Sequence, residues 1–354
     1  MRKYTFFLLL CFYLEALGQD TLWVNANTLE IEGKGFSNTE NDYDRLPATA
    51  KGLVRDPVWE LGQHSAGILV RFYTNALQFY IRWELTSTML AMPHMPATGV
   101  SGVDVYVLNN KKEYLFLGTG IPKNVKNLAV FNTNTQQNHL SSYLLYLPLY
   151  NGTKLLEIGV PMGYVIQKDT IFHAVVHKPI LFYGTSILQG ACASRAGMAY
   201  PSILGRKLGV HIINLGFSGN AKLEPEMQEL ISEVEAAVYV IDCHHNTTKD
   251  ETQTRTEPAI RKIRAKRPYA PIVLIEGSNP KRDFPTEEGL ITQEIVKKLK
   301  KEGFKNLYYI KGNGLLGQDT EATVDLVHHS DLGMQRQAEF LYPIFKKILR
   351  KIKQ

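Results

Sequence analysis

Cysteine is nearly absent: three occur in 354 residues, and one of them, Cys11, lies in the first apolar stretch. The remaining two, Cys192 and Cys243, cannot build a disulfide framework. A single bridge and two buried thiols are both open readings. Charge of one sign is scarce as well, with 40 basic and 34 acidic side chains giving a net +6. Much of the excess falls near the C-terminus, at Lys346, Lys347, Arg350, Lys351 and Lys353, where a solvated helix face accounts for it without nucleic acid. Beyond the first residues no apolar run is long enough to span a bilayer, which argues against membrane insertion. There is no internal repeat, and a content of 44% hydrophobic and 21% charged residues excludes a disordered chain.

What is present begins at the N-terminus. Arg2 and Lys3 precede an apolar stretch over 6–14, and small residues at Ala16 and Gly18 lead into Gln19. This is the layout of a cleavable secretory signal over 1–18, so the mature protein is expected to be exported, to the periplasm or the medium. Leu10 before Cys11 is not the small residue that a lipoprotein site needs.

The two halves carry different periods. Over 22–165 the dominant period is two, clearest at Phe79, Ile81, Trp83 and Leu85, with further strands at 103–107, 114–117 and 143–150. Pro, Gly and Asn clusters separate them, which predicts an all-β sandwich, jelly-roll-like, over 20–170. Over 175–354 short apolar strands at 180–183, 210–214, 238–242, 272–275 and 307–310 alternate with helical stretches. One helix is read as starting at Pro258, a first-turn proline. Strand–helix alternation predicts an α/β/α sandwich around a parallel sheet.

In such sheets ligands bind beyond the carboxyl ends of the strands. The residues found there are Ser186 after the first strand, a glycine turn with Gly219 after the second, and Asn246 after the third. Asp325 and His328 follow the fifth. A serine hydroxyl is a poor nucleophile until a base such as His328 takes its proton. Asp325 would fix the imidazole tautomer and stabilise its cation. The N–H groups of Ser186 and Gly219 and the Asn246 amide would form the oxyanion hole, each contributing roughly 3 kcal/mol.

Gly184-x-Ser186, the glycine turn, Asn246 and Asp325-x-x-His328 stand in the block order of the SGNH/GDSL hydrolases, which residues 179–354 resemble. The stretch Tyr183-Gly184-Thr185-Ser186-Ile187-Leu188-Gln189-Gly190 is similar to two-domain bacterial esterases of that family. Their front domain carries Gly-x-Asp-Leu-Tyr, and here Gly102-Val103-Asp104-Val105-Tyr106 resembles it with Val for Leu. The resemblance implies a flavodoxin-like hydrolase domain and metal-free ester hydrolysis with no cofactor. For two-domain members it implies an acylated carbohydrate as partner, most often O-acetylated. Two blocks depart from the family pattern: Thr185 replaces the usual Asp, and His245 and Thr247 flank Asn246.

Competing readings are a lipase-like acylhydrolase on longer chains and a non-catalytic carbohydrate-binding protein. The α/β-hydrolase elbow needs Gly two residues after the serine, and position 188 is Leu. His173 with His177, and the pair His244-His245, have ligand-like spacing, but structural or surface roles fit them better than a metal centre. Arg195, in the loop after Ser186, is a candidate substrate contact or equally an anchor of that loop. His94, in the turn-rich stretch 94–99, is another candidate contact if this loop packs near the catalytic edge, the alternative being an ordinary surface loop.

Overall fold

The computed structural model describes residues 20–133, 139–169, 177–278 and 283–352. The signal stretch, Cys11 and His173 lie outside them.

The first half is built from two antiparallel sheets. One runs in the order β1 (Thr21–Asn25), β9 (Thr153–Pro161), β4 (Gln78–Leu85), β7 (Lys126–Asn132). The other runs β10 (Ile166–Lys168), β3 (Leu69–Thr74), β8 (Ser141–Tyr146), β5 (Val103–Leu108), β6 (Tyr114–Gly120), with β2 (Glu30–Glu32) also on β3. Strand β4 shows why the period-two reading works: Phe79, Ile81, Trp83 and Leu85 are buried while their neighbours are half-buried. Phe72 stacks on Tyr143 and meets Phe79 edge-on between the sheets, and the Trp83 indole donates to the Ser101 carbonyl.

The second half carries a parallel sheet in the order β12 (Ile212–Gly216), β11 (Ile180–Gly184), β13 (Val238–Asp242), β14 (Ile272–Ile275), β15 (Leu307–Ile310). The strand order 2-1-3-4-5 has its switch point between β11 and β13, so the ends of those strands are where a ligand is expected. Helices α4 (Tyr200–Leu208) and α8 (Asp331–Ile352) pack on one face. On the other lie α5 (Pro225–Glu233), α6 (Lys249–Lys266) and α7 (Glu287–Lys301).

Several boundaries differ from the sequence reading: β8 ends at Tyr146 rather than at 150, and β6 runs on to Gly120. Strand β12 starts at Ile212 rather than 210, because Gly209 ends α4 in the left-handed region and Val210 N–H returns to the Gly205 carbonyl. Helix α6 starts at Lys249, not at Pro258. Thr248 caps it reciprocally with Glu251, and Pro258 sits inside the helix.

The halves are not independent. Apolar side chains of the β half, among them Tyr106, Leu144, Tyr146 and Leu149, share one buried cluster with Ile180, Tyr200, Leu204 and Phe345. At the β12 edge of the sheet the buried Arg45 donates to the carbonyls of Asn214 and Gly216, at 3.0 and 2.7 Å. Its other nitrogens bond the Leu61 and His64 carbonyls, so the guanidinium stitches an edge strand to the front domain.

Candidate active site

Strand β11 ends at Gly184, and Thr185 caps the short helix α3 (Ser186–Gln189), accepting from the Ile187 N–H. Ser186 is therefore the first helical residue beyond the sheet edge, as the Gly-x-Ser reading places it. Its backbone is held firmly. The Ser186 carbonyl accepts from the N–H groups of Gly190 and Ala191 and from the Tyr150 hydroxyl of the front domain.

His328 Nε2 lies 2.9 Å from Ser186 Oγ, and its Nδ1 lies 2.6 Å from Asp325 Oδ2. The other carboxylate oxygen, Oδ1, accepts from the backbone N–H groups of Val327 and His328. This tight turn requires Leu326 to adopt a left-handed backbone, with φ at 70°. Partial burial works against the Asp325 carboxylate. The ring and backbone hydrogen bonds outweigh it and hold the group down to about 2, so it stays ionised beside the imidazole. The neighbouring His329 is fully buried, with Nε2 2.8 Å from the Ser278 hydroxyl. Burial, then the charges of His245 and His328, push it down to about 3. Of the two adjacent histidines, only His328 faces the serine.

The expected oxyanion donors come from two turns. Gly219 follows β12 with φ at +67°, and nothing crowds it. Asn246 follows β13 and accepts from the Ala221 N–H through Oδ1 at 3.2 Å, which leaves its amide nitrogen as the free end. With His245 and Thr247 flanking it in place of the family residues, Asn246 is held by the backbone just after the glycine turn. The end of β12 lies close to α3: a Cβ on Gly216 would sit 2.4 Å from the Gln189 backbone nitrogen.

Arg195 makes the contacts of a loop anchor. Its guanidinium donates to Asp104 at 2.8 Å and to the Tyr106 hydroxyl at 2.6 Å, and it stacks over the Phe116 ring at 3.7 Å. The guanidinium thus ties its loop to the front domain, where the buried Asp104 carboxylate demands a cation. Asp104 also accepts from the Gly197 N–H and the Thr119 hydroxyl. The Gly-x-Asp-x-Tyr element therefore clasps the loop after the nucleophile.

His94 is exposed at the tip of a turn closed by Met92 and Met95, and its ring lies 5.7 Å from that of His328. The front-domain loop does reach the site. His244 is buried between the Glu276 carbonyl and Thr292, and His245 bonds the Ser278 carbonyl. His177 is exposed before β11.

Three residues near the site escaped the sequence reading. The Gln189 amide nitrogen bonds the Leu149 carbonyl and His64 Nδ1, while its oxygen accepts from Ser218 N–H, so it joins α3, the glycine turn and the front domain. Its position three after Ser186, one turn along the same helix face, was a usable signal. Tyr150 gave none. Cys192, free like Cys243 and buried, lies beside His328 and His94. The two thiols form no bridge.

A parallel 2-1-3-4-5 sheet with a serine, an imidazole and a carboxylate aligned at its carboxyl edge defines an esterase or acylhydrolase class of protein. Residues 177–346 match the model of the GDSL-like lipase/acylhydrolase family, and residues 21–166 match the model described as the N-terminus of esterases of the SGNH-hydrolase type. A GDSL-like lipase from Bacteroides ovatus is 33% identical, with a TM-score of 0.86 over 94% of this chain and 98% of its own. The chain belongs to the SGNH/GDSL hydrolase family. Two more distant structures share the fold. A salicylyl-acyltransferase from a tetracycline biosynthetic pathway is 19% identical, with a TM-score of 0.73 over 90% of this chain and 95% of its own. A family two carbohydrate esterase from Clostridium thermocellum, solved with cellohexaose, is 16% identical, with a TM-score of 0.58 over 80% and 93%. No protein of curated function matches the chain.

Proposed function

We propose that this protein is an exported serine esterase that removes O-acyl groups, chiefly O-acetyl, from glycans. The reading rests on one observation: the continuous line from Ser186 Oγ through His328 to the Asp325 carboxylate, at 2.9 and 2.6 Å. His328 Nε2 takes the hydroxyl proton as Oγ attacks the acyl carbon, and Asp325 stabilises the resulting imidazolium. The N–H groups of Ser186 and Gly219 and the Asn246 amide receive the oxyanion. The imidazolium then gives its proton to the departing sugar oxygen. Water, activated by the same base, hydrolyses the acyl-enzyme and releases acetate.

A glycan is favoured over a long-chain lipid by the wall that the front domain adds. His94 supplies a polar, exposed group beside the base, and ligand sites built between domains suit an extended polar substrate. The fold shared with an esterase solved on cellohexaose agrees with this choice. The signal-like layout of residues 1–18 supports export.

Acetate release from a panel of acetylated glycans, with Ser186→Ala as control, tests the proposal. The variant should fold normally and release none. Near wild-type turnover of Ser186→Ala on an aryl acetate would remove Ser186 as nucleophile, and release from aryl esters alone would remove the glycan.

A further inference from the structure

His94, Cys192 and His328 arrive from three separate segments: a front-domain turn, the loop after α3 and the loop after β15. One ligand atom of each lies within 4.8 Å of the other two. A tetrahedral zinc ion with bonds of 2.0–2.3 Å holds its ligands about 3.5 Å apart, so a contraction of roughly 1 Å would complete the set. His94 can supply that movement, because it is exposed at the tip of its turn.

The environment of His328 already suits a metal ligand. Its Nδ1 is fixed by Asp325, which leaves Nε2 as the nitrogen with a lone pair to give. A histidine oriented by a carboxylate through its second nitrogen is the usual support of a zinc-bound imidazole. One sulfur and two imidazoles select zinc-class thiophilic cations over magnesium or calcium.

We propose that His94, Cys192 and His328 form a binding site for a thiophilic divalent cation such as zinc, and that occupancy switches the esterase off. The inhibitory half of this rests on His328 being the base for Ser186. On binding, the Cys192 thiol loses its proton to solvent and the sulfur bonds the ion. His328 Nε2 gives the ion the lone pair that would otherwise accept the Ser186 hydroxyl proton. Removing the ion returns both groups, so the switch is reversible. The same ion bridges the two halves of the molecule, since His94 belongs to the front domain and the other two ligands do not.

The test uses the full chain, stripped with a chelator and titrated with zinc chloride while aryl acetate hydrolysis is followed. Micromolar zinc should inhibit, added chelator should restore the rate, and magnesium at the same concentration should do nothing. Cys192→Ser, which keeps the size of the side chain and leaves the Ser186–His328 hydrogen bond in place, should retain near wild-type turnover without metal. It should need roughly ten-fold or more zinc for the same inhibition. Cobalt(II) supplies a readout independent of hydrolysis: wild-type protein should show a thiolate-to-cobalt charge-transfer band that Cys192→Ser lacks. If the protein hydrolyses no ester but shows that band, the metal site stands and the base assignment fails. Equal zinc sensitivity of the two proteins, or no cobalt band in the wild type, would overturn the site.

Discussion

At the residue scale two adjacent histidines have opposite fates. His328 is half-buried with both ring nitrogens aimed at functional partners, whereas His329 is sealed in the interior against Ser278. His328→Ala should lower turnover by roughly 10²–10⁴-fold with the melting temperature little changed. His329→Ala leaves a void and a buried Ser278 hydroxyl without its partner, which should cost about 1–3 kcal/mol of stability. Its turnover per folded molecule should stay within a few-fold. Parallel thermal melts and steady-state kinetics separate the two, and the reverse ranking would move the base to His329. The spacing Asp325-x-x-His328 made this choice legible, because one carboxylate must reach both the ring and the backbone of its own turn. Arg195 was not legible in the same way. A guanidinium in a loop after the nucleophile suits a substrate or a carboxylate equally, and its partner Asp104 lies 91 residues away.

At the element scale the sequence marks a helix best where capping and periodicity agree. Helix α6 shows the opposite case. Pro258 carries a strong start signal, yet the Thr248–Glu251 capping box begins the helix a full two turns earlier, in a polar stretch with little apolar rhythm. The parallel strands were readable because both faces are covered and each is a short, continuous apolar run. What periodicity cannot carry is how one loop grips another. The loop after α3 is held by Asp104 through Arg195 and the Gly197 N–H, and by Asp331 through Ser194. Burial pushes the Asp104 carboxyl up, against the pull of Arg195, so removing the cation exposes the full cost of that burial. Arg195→Ala should lose roughly 3 kcal/mol, whereas adding Asp104→Asn should recover part of it. A double-mutant cycle in chemical denaturation reads the coupling. Strictly additive losses would show that the clasp is not a pair.

At the scale of the whole molecule the site belongs to both halves. Leu149, Tyr150 and His64 of the front domain hold α3 in place, and His94 stands beside the base. The fold class of each half could be read from its period, but the seam could not, since its residues look like ordinary core and loop in either half. If the seam also binds glycan, its mutants should separate small from large substrates. His94→Ala should keep metal-free hydrolysis of an aryl acetate within a few-fold while kcat/KM on an acetylated oligosaccharide falls about ten-fold, or ~1.4 kcal/mol. Equal effects on both substrates, or none on either, would remove the turn from glycan recognition.

Arg45 sets an order of events on the ribosome. The side chain is made early, yet the Asn214 and Gly216 carbonyls that satisfy it are made about 170 residues later. Until then the guanidinium has only the local carbonyls of Leu61 and His64, and the apolar wall around Tyr106 and Tyr146 has nothing to face. The half synthesised first must therefore wait, incompletely covered, for the half synthesised last. Apolar surface left uncovered in this way is what makes a partly made chain prone to aggregate.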